Sequence, residues 1–230
     1  MIQLFNGDCL EVMKELPDNS IDLIVTDPPY KLTSRGGNPT SGGMIRSQIG
    51  MRGQVFNHND VKIEQWLPIL YKKLKESGHC YIMTNHKNLH HFLNITEKTG
   101  FHFIKSLIWD KQNKIMGQYY MSQYEYILFL RKGKGIKINN CGTPDILSIK
   151  NKKLKDANNN NLHDTEKPIQ LMKILIENSS KENETVLDPF MGIGSTGLAC
   201  IELNRDFIGI ELDRDYFDIS EHRIQEASKS

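Results

Sequence analysis

One segment near the end of the chain, TVLDPFMGIGSTG, restricts the fold more than any other. A short apolar run ends in Asp188, and the glycine-rich turn after it opens a helix. Glycines permit positive φ angles and let a ligand approach the backbone, while the helix N-terminus offers unpaired N–H groups. A further apolar strand, residues 207–212, then carries Glu211 near its end. This order of strand, turn, helix and strand predicts a parallel α/β unit with a ligand at the turn.

The rest of the chain alternates short apolar runs with segments of helical periodicity. The predicted strands are IQLF, IDLIVT, HCYIMTN, FIKSLIWD and YEYILFLRKG, and the predicted helices cover residues 61–76, 87–99 and 168–179. Residues 31–60 and 133–162 lack periodicity and are predicted to be loops or small insertions. We therefore expect one α/β domain over residues 1–230, Rossmann-like, with a mostly parallel twisted sheet and helices on both faces.

Composition excludes several classes of protein. The 4 cysteines lie far apart without a CxxC pair, which favours neither a zinc site nor a disulfide framework. The first residues lack the basic start and apolar centre of a signal peptide. No run approaches the roughly 18 apolar residues that a membrane helix needs. We expect a cytoplasmic protein with no membrane association.

Charge is segregated along the chain although the formal net charge is only +1. Both ends are acidic, whereas residues 131–155 carry eight bases against the single acid Asp145. Only nearby charges count in salt solution, so a localised basic face can hold phosphates despite a balanced total. A solvated lysine-rich loop accounts equally well for the same pattern.

The tetrapeptide Asp27-Pro28-Pro29-Tyr30 ends a predicted buried strand, where open α/β sheets bind ligands. An aromatic amine is a poor nucleophile because its lone pair is delocalised into the ring. A carboxylate and the Pro28 carbonyl, accepting its two N–H bonds, would favour a tetrahedral nitrogen with its lone pair aimed at an electrophile. The prolines stiffen this loop, and Tyr30 offers a face on which a base can stack.

The glycine turn also satisfies the dinucleotide fingerprint, Gly192-x-Gly194-x-x-Gly197. A nicotinamide-dependent oxidoreductase is therefore an alternative. Against it, the turn lies late in the chain and only one further strand follows. A non-enzymatic DNA-binding fold is disfavoured because Asp27, Pro28 and the glycines are all present.

Taken in order, these motifs resemble the permuted β group of amino-methylating DNA methyltransferases, in which DPPY precedes the cofactor motif. The resemblance spans nearly the whole chain and is weakest across residues 31–60 and 133–162. Two positions depart from the family pattern: Asp164 and Glu166 stand where it more often carries proline and glutamine.

The resemblance implies a role for each matching residue. The catalytic set that binds the target amine and base is Asp27, Pro28, Pro29 and Tyr30. The set implied to bind S-adenosylmethionine is Asp8, Cys9, Thr165, Lys167, Asp188, Phe190, Gly192, Gly194, Ser195, Thr196 and Glu211. Within it, Glu211 matches the ribose ligand, Asp8 and Cys9 the turn beside the adenine, and Lys167 a contact near the methionine carboxylate.

The implied activity is methylation of adenine N6 in double-stranded DNA by base flipping. Cytosine N4 is the alternative target; aspartate before Pro-Pro-Tyr favours adenine in this family. A second aromatic should enclose the flipped base, and Tyr124 or Tyr119 is the candidate. No metal is expected. The setting implied is bacterial or phage-encoded restriction–modification.

DNA contacts are expected from the two loops. Arg35, Arg46 and Arg52 suit guanine edges or phosphates, and Lys132, Lys134 and Lys152 are among several lysines that suit phosphates. Because both loops are short for a recognition domain, a homodimer that supplies more surface is a further hypothesis.

Overall fold

A single mixed sheet organises the protein, seen in a computed structural model that describes residues 1–29, 61–115, 119–150 and 166–229. The strands are β1 (Ile2–Asn6), β2 (Ile21–Thr26), β3 (Leu74–Thr84), β4 (His102–Ile115), β5 (Ser122–Arg131), β6 (Ile146–Ser148), β7 (Thr185–Asp188) and β8 (Asp206–Glu211). The helices are α1 (Cys9–Glu15), α2 (Ile63–Lys73), α3 (Leu89–Thr99), α4 (Ile169–Ser179), α5 (Ser195–Glu202) and α6 (Arg214–Ala227).

The strand order within these ranges is β1-β8-β7-β2-β3-β5-β4-β6. Strands β1, β8, β7, β2 and β3 run parallel to one another, β6 is parallel to β4, and β5 is antiparallel to both β3 and β4. The prediction of a mostly parallel sheet is confirmed. The carboxyl ends of the parallel strands and the amino end of β5 consequently meet at one edge of the sheet, which we call the carboxyl edge.

Each face of the sheet carries its own apolar core. On one face, Val25 and Ile127 pack with Leu171 of α4 and Ile224 of α6. On the other, a second core joins residues of α1, α2 and α3 to alternate strand positions such as Ile24. Successive strand residues point to opposite faces, so near-continuous apolar runs are what a sheet covered on both sides requires. The prediction of helices on both faces is confirmed.

Two elements differ from the sequence-based expectations. Helix α2 ends at Lys73 and β3 begins at once with Leu74, whereas we expected the helix to continue towards Gly78. Part of residues 133–162 forms β6, which pairs with β4 and buries Leu147, although the whole segment was predicted as a loop. Sheet pairing at a short edge strand leaves little periodicity to read, since only three residues take part.

The predicted recognition segments are only partly covered by the structure. Residues 31–60 and 151–162 lie outside the described ranges. Within those ranges no helix combines the length and apolar character needed to cross a bilayer.

Candidate active site

The glycine turn after β7 is fixed by one buried carboxylate. Asp188 Oδ1 accepts hydrogen bonds from Thr26 Oγ1 at 2.9 Å and from the Phe190 amide at 3.1 Å, while Oδ2 accepts one from Thr196 Oγ1 at 2.6 Å. Burial raises the pKa of Asp188 to about 6, against the hydrogen bonds, which lower it. Asp188 therefore holds the turn in shape, and both its oxygens are already engaged by the protein.

Two glycines give the turn its left-handed backbone. Gly192 has φ 53° and Gly194 has φ 86°, and Gly194 is the N-cap of α5. A Cβ on Gly194 would lie 3.1 Å from both Ile224 Cδ1 and Ser220 Cβ, so α6 also restricts that position. With no side chain at these two positions, a ligand could approach the backbone of the turn closely.

The first residues of α5 are fixed by contacts with Glu166 and Arg223. Ser195 and Thr196 are both buried, and Ser195 Oγ donates to Glu166 Oε1 at 3.5 Å. Arg223 donates to the same Glu166 oxygen at 3.1 Å and to the Ile193 carbonyl at 2.6 Å. An acid at position 166, where the family pattern more often has glutamine, is thus paired with an arginine from α6.

Phe190 anchors the other side of the turn. Its half-buried ring meets Trp66 of α2 edge-on, with centroids 5.5 Å apart. Edge-to-face packing of this kind adds to the area that the two rings bury. The turn is consequently attached to both faces of the sheet.

Glu211 and the Asp8-Cys9 turn lie side by side because β1 pairs with β8. The Gly7 amide donates to the Glu211 carbonyl at 3.0 Å. The Glu211 side chain accepts from the Gly192 amide at 2.9 Å and from the Asp213 amide at 2.9 Å. Asp8 caps α1 by accepting from the Leu10 amide at 2.7 Å.

Burial raises the pKa of two groups in this part of the site. Burial raises the pKa of the Glu211 carboxyl, against the hydrogen bonds from the Asp213 and Gly192 amides, which lower it. Burial raises the pKa of the Cys9 thiol to about 12. Cys9 is therefore a packing residue in its thiol form and is not a nucleophile at neutral pH.

Asp27 leaves β2 directly beside the glycine turn. The residue before it, Thr26, is the one that bonds Asp188, so the two motifs recognised in the sequence meet at the carboxyl edge. Pro28 is buried and Pro29 is half-buried. The Asp27 side chain is 20% exposed, and its Oδ2 contacts the Lys167 ammonium.

The Asp27–Lys167 contact belongs to a chain of alternating charges. Lys167 Nζ also lies 3.6 Å from Glu125 Oε2, and Glu125 Oε1 accepts from Lys111 Nζ at 2.5 Å. Glu125 and Lys167 are 17% and 6% exposed. Lys111 and Glu125 come from β4 and β5, whereas Lys167 precedes α4. We call Lys111, Glu125, Lys167 and Asp27 the charge chain.

Burial and mutual attraction compete within the charge chain. Burial raises the pKa of Asp27, although the Lys167 ammonium lowers it. Burial would raise the pKa of Glu125 as well, but the Lys167 and Lys111 ammonium groups outweigh it and hold that pKa below its usual range. Burial lowers the pKa of Lys167 less than the two carboxylates raise it, so Lys167 stays protonated.

Two buried oxygens of the charge chain accept no hydrogen bond from any described residue: Asp27 Oδ1 and Glu125 Oε2. A buried acceptor without a donor costs free energy on the order of 1–3 kcal/mol, so each such atom in a folded protein calls for an explanation. Asp27 Oδ1 is the acceptor that a substrate N–H could satisfy.

The predicted base-binding tyrosines lie at the same edge, with Tyr124 inside the amino end of β5 and Tyr119 just before that strand. Tyr119 is 87% exposed and Tyr124 is 45% exposed. Tyr124 packs edge-on against Tyr126 with centroids 5.3 Å apart, on the opposite side of β5 from Glu125. Their role in holding a base stays a prediction.

The structure separates Lys134, a predicted DNA contact, from the predicted base-binding tyrosines. Lys134 is exposed but follows the carboxyl end of β5, and Tyr124 stands near its amino end. The strand has 10 residues, so at about 3.3 Å per residue its ends lie roughly 30 Å apart. Lys132, two residues before Lys134, was also expected at phosphates. It is only 6% exposed and donates to Asn19 Oδ1 at 2.8 Å, so that expectation is wrong.

Six predicted site residues lie outside the described ranges. They are Tyr30, Arg35, Arg46, Arg52, Lys152 and Thr165.

Sequence reasoning missed Glu125, Lys111 and Arg223. The only signal available was an acid inside a strand pattern, YEYILFLR, where an apolar residue is expected on a covered face. Among the described residues no cluster of three or more histidine, cysteine or acidic side chains could hold a metal ion.

Comparisons with known proteins agree on one family. The family model N6_N4_Mtase, a DNA methylase, matches residues 21–222. Type II methyltransferase M.HinfI of Haemophilus influenzae is 31% identical over 97% of this chain and 68% of its own length. Type II methyltransferase M2.MboI of Moraxella bovis is 28% identical over 97% of this chain and 87% of its own length.

Solved structures show the same fold. The complex of M1.HpyAVI with SAM is 26% identical and superposes with a TM-score of 0.70, covering 97% of this chain and 100% of that one. The cytosine-N4-specific PvuII DNA methyltransferase is 17% identical with a TM-score of 0.74, covering 99% of this chain and 91% of that one. At that identity the second match bears on the fold alone.

Proposed function

The chain belongs to the N6/N4 DNA methylase family, and on that premise we propose that it transfers a methyl group from S-adenosylmethionine to adenine N6 in double-stranded DNA. One observation supports the proposal more than any other. Asp27 presents a buried oxygen without a described partner immediately beside a glycine turn of left-handed backbone. An acceptor for an amine and a turn open to a ligand thus share one edge of the sheet.

Residues of the glycine turn fit a nucleoside-bearing cofactor. The Glu211 carboxylate ends β8 at the carboxyl edge, where its oxygens can accept ribose hydroxyl groups in addition to the two amides that hold it. The Asp8-Cys9 turn beside it would border the adenine, and the backbone at Gly192 and Gly194 would border the methionine part. When bound, S-adenosylmethionine supplies an electrophilic methyl on a sulfonium centre whose sulfur leaves uncharged.

Asp27 prepares the target nitrogen. Its Oδ1 accepts one N–H of the amine, and the Pro28 carbonyl accepts the other in this proposal, which draws the nitrogen towards tetrahedral geometry. The lone pair then points away from the ring plane. As positive charge develops on the nitrogen, the adjacent carboxylate stabilises it, an electrostatic effect that is largest in a site shielded from water. Once the new N–C bond has formed and the C–S bond has broken, the cationic nitrogen gives up one proton to water.

An amine inside a duplex is out of reach of Asp27, so the base must be extruded. Flipping requires unstacking that costs a few kcal/mol, and aromatic rings that stack on the base offset part of it. Tyr124, with Tyr119 as the alternative, is proposed to lie against the flipped base. Arg35, Arg46, Arg52 and Lys152 are proposed to contact DNA.

A nicotinamide-dependent oxidoreductase is the alternative from another class. The antiparallel β5 between β3 and β4 departs from the parallel order of doubly wound dinucleotide folds, which speaks against it. Thermal shift separates the two: S-adenosylhomocysteine should raise the melting temperature, and NAD should not.

The product identifies the base. Unmethylated double-stranded DNA would be incubated with the purified chain and S-adenosylmethionine, digested to nucleosides and analysed by mass spectrometry. N6-methyladenine is the expected product. N4-methylcytosine instead would reassign the target base. Failure to detect any methylated nucleoside, with DNA of any sequence, would overturn the proposal.

Assembly and setting are also proposed. We expect a bacterial cytoplasmic enzyme of a restriction–modification system, as the relatives are Type II methyltransferases of bacteria. A homodimer would supply additional DNA-binding surface. Gel filtration that gives a monomer both with and without DNA would exclude it.

A further inference from the structure

The charge chain reaches Asp27 through Lys167, and its geometry points to a function for Lys167 other than the cofactor contact that the resemblance implies, and to a function for Glu125, which no motif marks. We propose that Lys167 and Glu125 are positioning residues for methyl transfer: Lys167 occupies Oδ2 of Asp27 so that Oδ1 faces the target amine, and Glu125 holds Lys167 in place. This inference rests on the proposed function and names two further residues that the reaction needs.

The first step of the argument is the asymmetry of the Asp27 carboxylate. Oδ2 contacts the Lys167 ammonium, whereas Oδ1 is buried and accepts no hydrogen bond from a described residue. A carboxylate with both oxygens free could rotate about its terminal bond, because such a torsion is broad. Fixing one oxygen with a charged donor removes that freedom and leaves a single acceptor for the amine.

The second step is the placement of the lysine. Lys167 is 6% exposed, and a flexible four-carbon side chain in such a position needs a partner besides Asp27 to define its end. Glu125 Oε2 lies 3.6 Å from Nζ on the far side of the pair. Glu125 is itself held through Oε1 by Lys111 at 2.5 Å. The chain therefore runs from β4 and β5, across the sheet edge, to the end of β2.

The third step is charge balance. Two ammonium groups and two carboxylates leave the charge chain neutral, which suits a buried cluster. The charged groups that act on Asp27 are Lys167, Glu125 and Lys111, and Asp188 lies close enough for its own pKa to be raised by Asp27. Lys167 and Lys111 favour the ionised form of Asp27 and Glu125 opposes it.

Opposite effects on the pH profile distinguish positioning from simple damage. The transfer step needs Asp27 ionised, so its rate falls as pH drops through the pKa of Asp27. Lys167→Met removes an ammonium, which raises that pKa and moves the acid limb to higher pH. Glu125→Gln removes a carboxylate, which lowers that pKa and moves the limb to lower pH. A variant that only loosens the fold would not give shifts of opposite sign.

The experiment is single-turnover methylation of double-stranded DNA from pH 5 to 9, with S-adenosylhomocysteine binding measured alongside. We expect Lys167→Met to slow the transfer step by about 100-fold, the scale of a misplaced reacting group. Cofactor affinity should change less than about threefold, because the Lys167 ammonium contacts Asp27 instead of taking the role near the methionine carboxylate that the resemblance implies. Lys167→Arg should recover part of the rate. Lys173 of α4 forms an ion pair with Glu202 of α5 at 2.9 Å. Lys173→Met breaks that pair, is the matched control, and should behave as wild type.

Each result is decisive. Shifts of opposite sign with retained cofactor binding support the inference. Acid limbs that do not shift, or that move in the same direction in both variants, overturn the inference. The proposed function is unaffected by that result as long as the wild-type protein methylates DNA. Should Lys167→Met fail to bind S-adenosylhomocysteine, the Glu125→Gln profile decides alone. A wild-type chain that methylates no DNA overturns the proposed function and this inference with it.

Discussion

The glycine turn and the Asp27 side of the site differ in how completely their polar groups are satisfied. Around the turn, Asp188 accepts three hydrogen bonds and Glu211 accepts two. In the charge chain, by contrast, Asp27 Oδ1 and Glu125 Oε2 accept none from the described residues. From this comparison we propose that the cofactor side is formed before any ligand arrives, whereas the catalytic side is completed by the substrate.

Breaking the catalytic side should have the largest effect. Asp27→Ala removes the acceptor for the amine, and we expect transfer to slow by about 1000-fold, equivalent to about 4 kcal/mol in the barrier. Cofactor affinity should stay within about threefold of wild type because Asp27 is not part of the turn. Single-turnover methylation measures the transfer rate, and calorimetry measures cofactor affinity. Asp218→Ala, on the exposed side of α6, is the control. Wild-type turnover would remove Asp27 from the mechanism.

The Asp188 carboxyl allows a pH test of the preformed side. Its pKa of about 6 in the folded protein lies above the ordinary 3.8, so the folded state takes up this proton first as pH falls. The group's contribution to stability is therefore fully present below about pH 4 and is lost as pH rises through 6. The free energy of unfolding is measured with urea for wild type and for Asp188→Asn. We expect the wild-type value to gain on that of the variant by about 3 kcal/mol when the pH is lowered from 7 to 4.

Asp145 supplies the control of opposite sign. The Lys105 ammonium holds the pKa of its exposed carboxyl below the usual range, so the difference between wild type and Asp145→Asn should shrink slightly as pH falls. A difference for Asp188 that does not change with pH would contradict its assignment as a buried acid with a raised pKa.

Glu211 tests whether the preformed side binds the ribose. Glu211→Ala should weaken S-adenosylhomocysteine binding by about 1–3 kcal/mol, the scale of lost hydrogen bonds to a charged group. Because burial raises the pKa of Glu211, affinity in the wild type should also decline as pH falls through that pKa, and this decline should vanish in the variant. Glu97→Ala, on the exposed side of α3, should bind normally. An unchanged affinity for Glu211→Ala would place the ribose elsewhere.

The smallest effect is expected from the backbone of the turn. Gly194→Ala places a side chain at φ 86° and brings its Cβ to 3.1 Å from Ile224, so we expect a stability loss of about 1–2 kcal/mol. Gly135→Ala, whose nearest neighbour is an Arg131 side-chain atom at 3.4 Å, should change stability by less than about 0.5 kcal/mol. Equal losses in the two variants would show that the left-handed conformation of Gly194 is unimportant.

The parts of the site that sequence predicted are those that local patterns define. Asp27, Asp188 and Glu211 each end an apolar run, and parallel pairing brings such ends together without any knowledge of distant contacts. The glycines of the turn are equally local, because their positive φ angles follow from the turn itself.

The charge chain could not be predicted in this way. It depends on β5 inserting antiparallel between β3 and β4, an order that is not the order of the sequence. Only that insertion sets Glu125 across from Asp27 and next to Lys167. Lys132 illustrates the opposite error: it belongs to a basic run, yet it is buried with its ammonium on Asn19 and the Leu74 carbonyl.

The pairing of β1 with β8 has a consequence for how the protein folds. The Asp8 turn is supported by β8, which carries Glu211 and lies about 200 residues further along the chain. Contacts between residues so distant in sequence form slowly. The corner of the sheet that we propose to bind the nucleoside therefore depends on a slowly formed contact, and a chain lacking β8 would lose that corner.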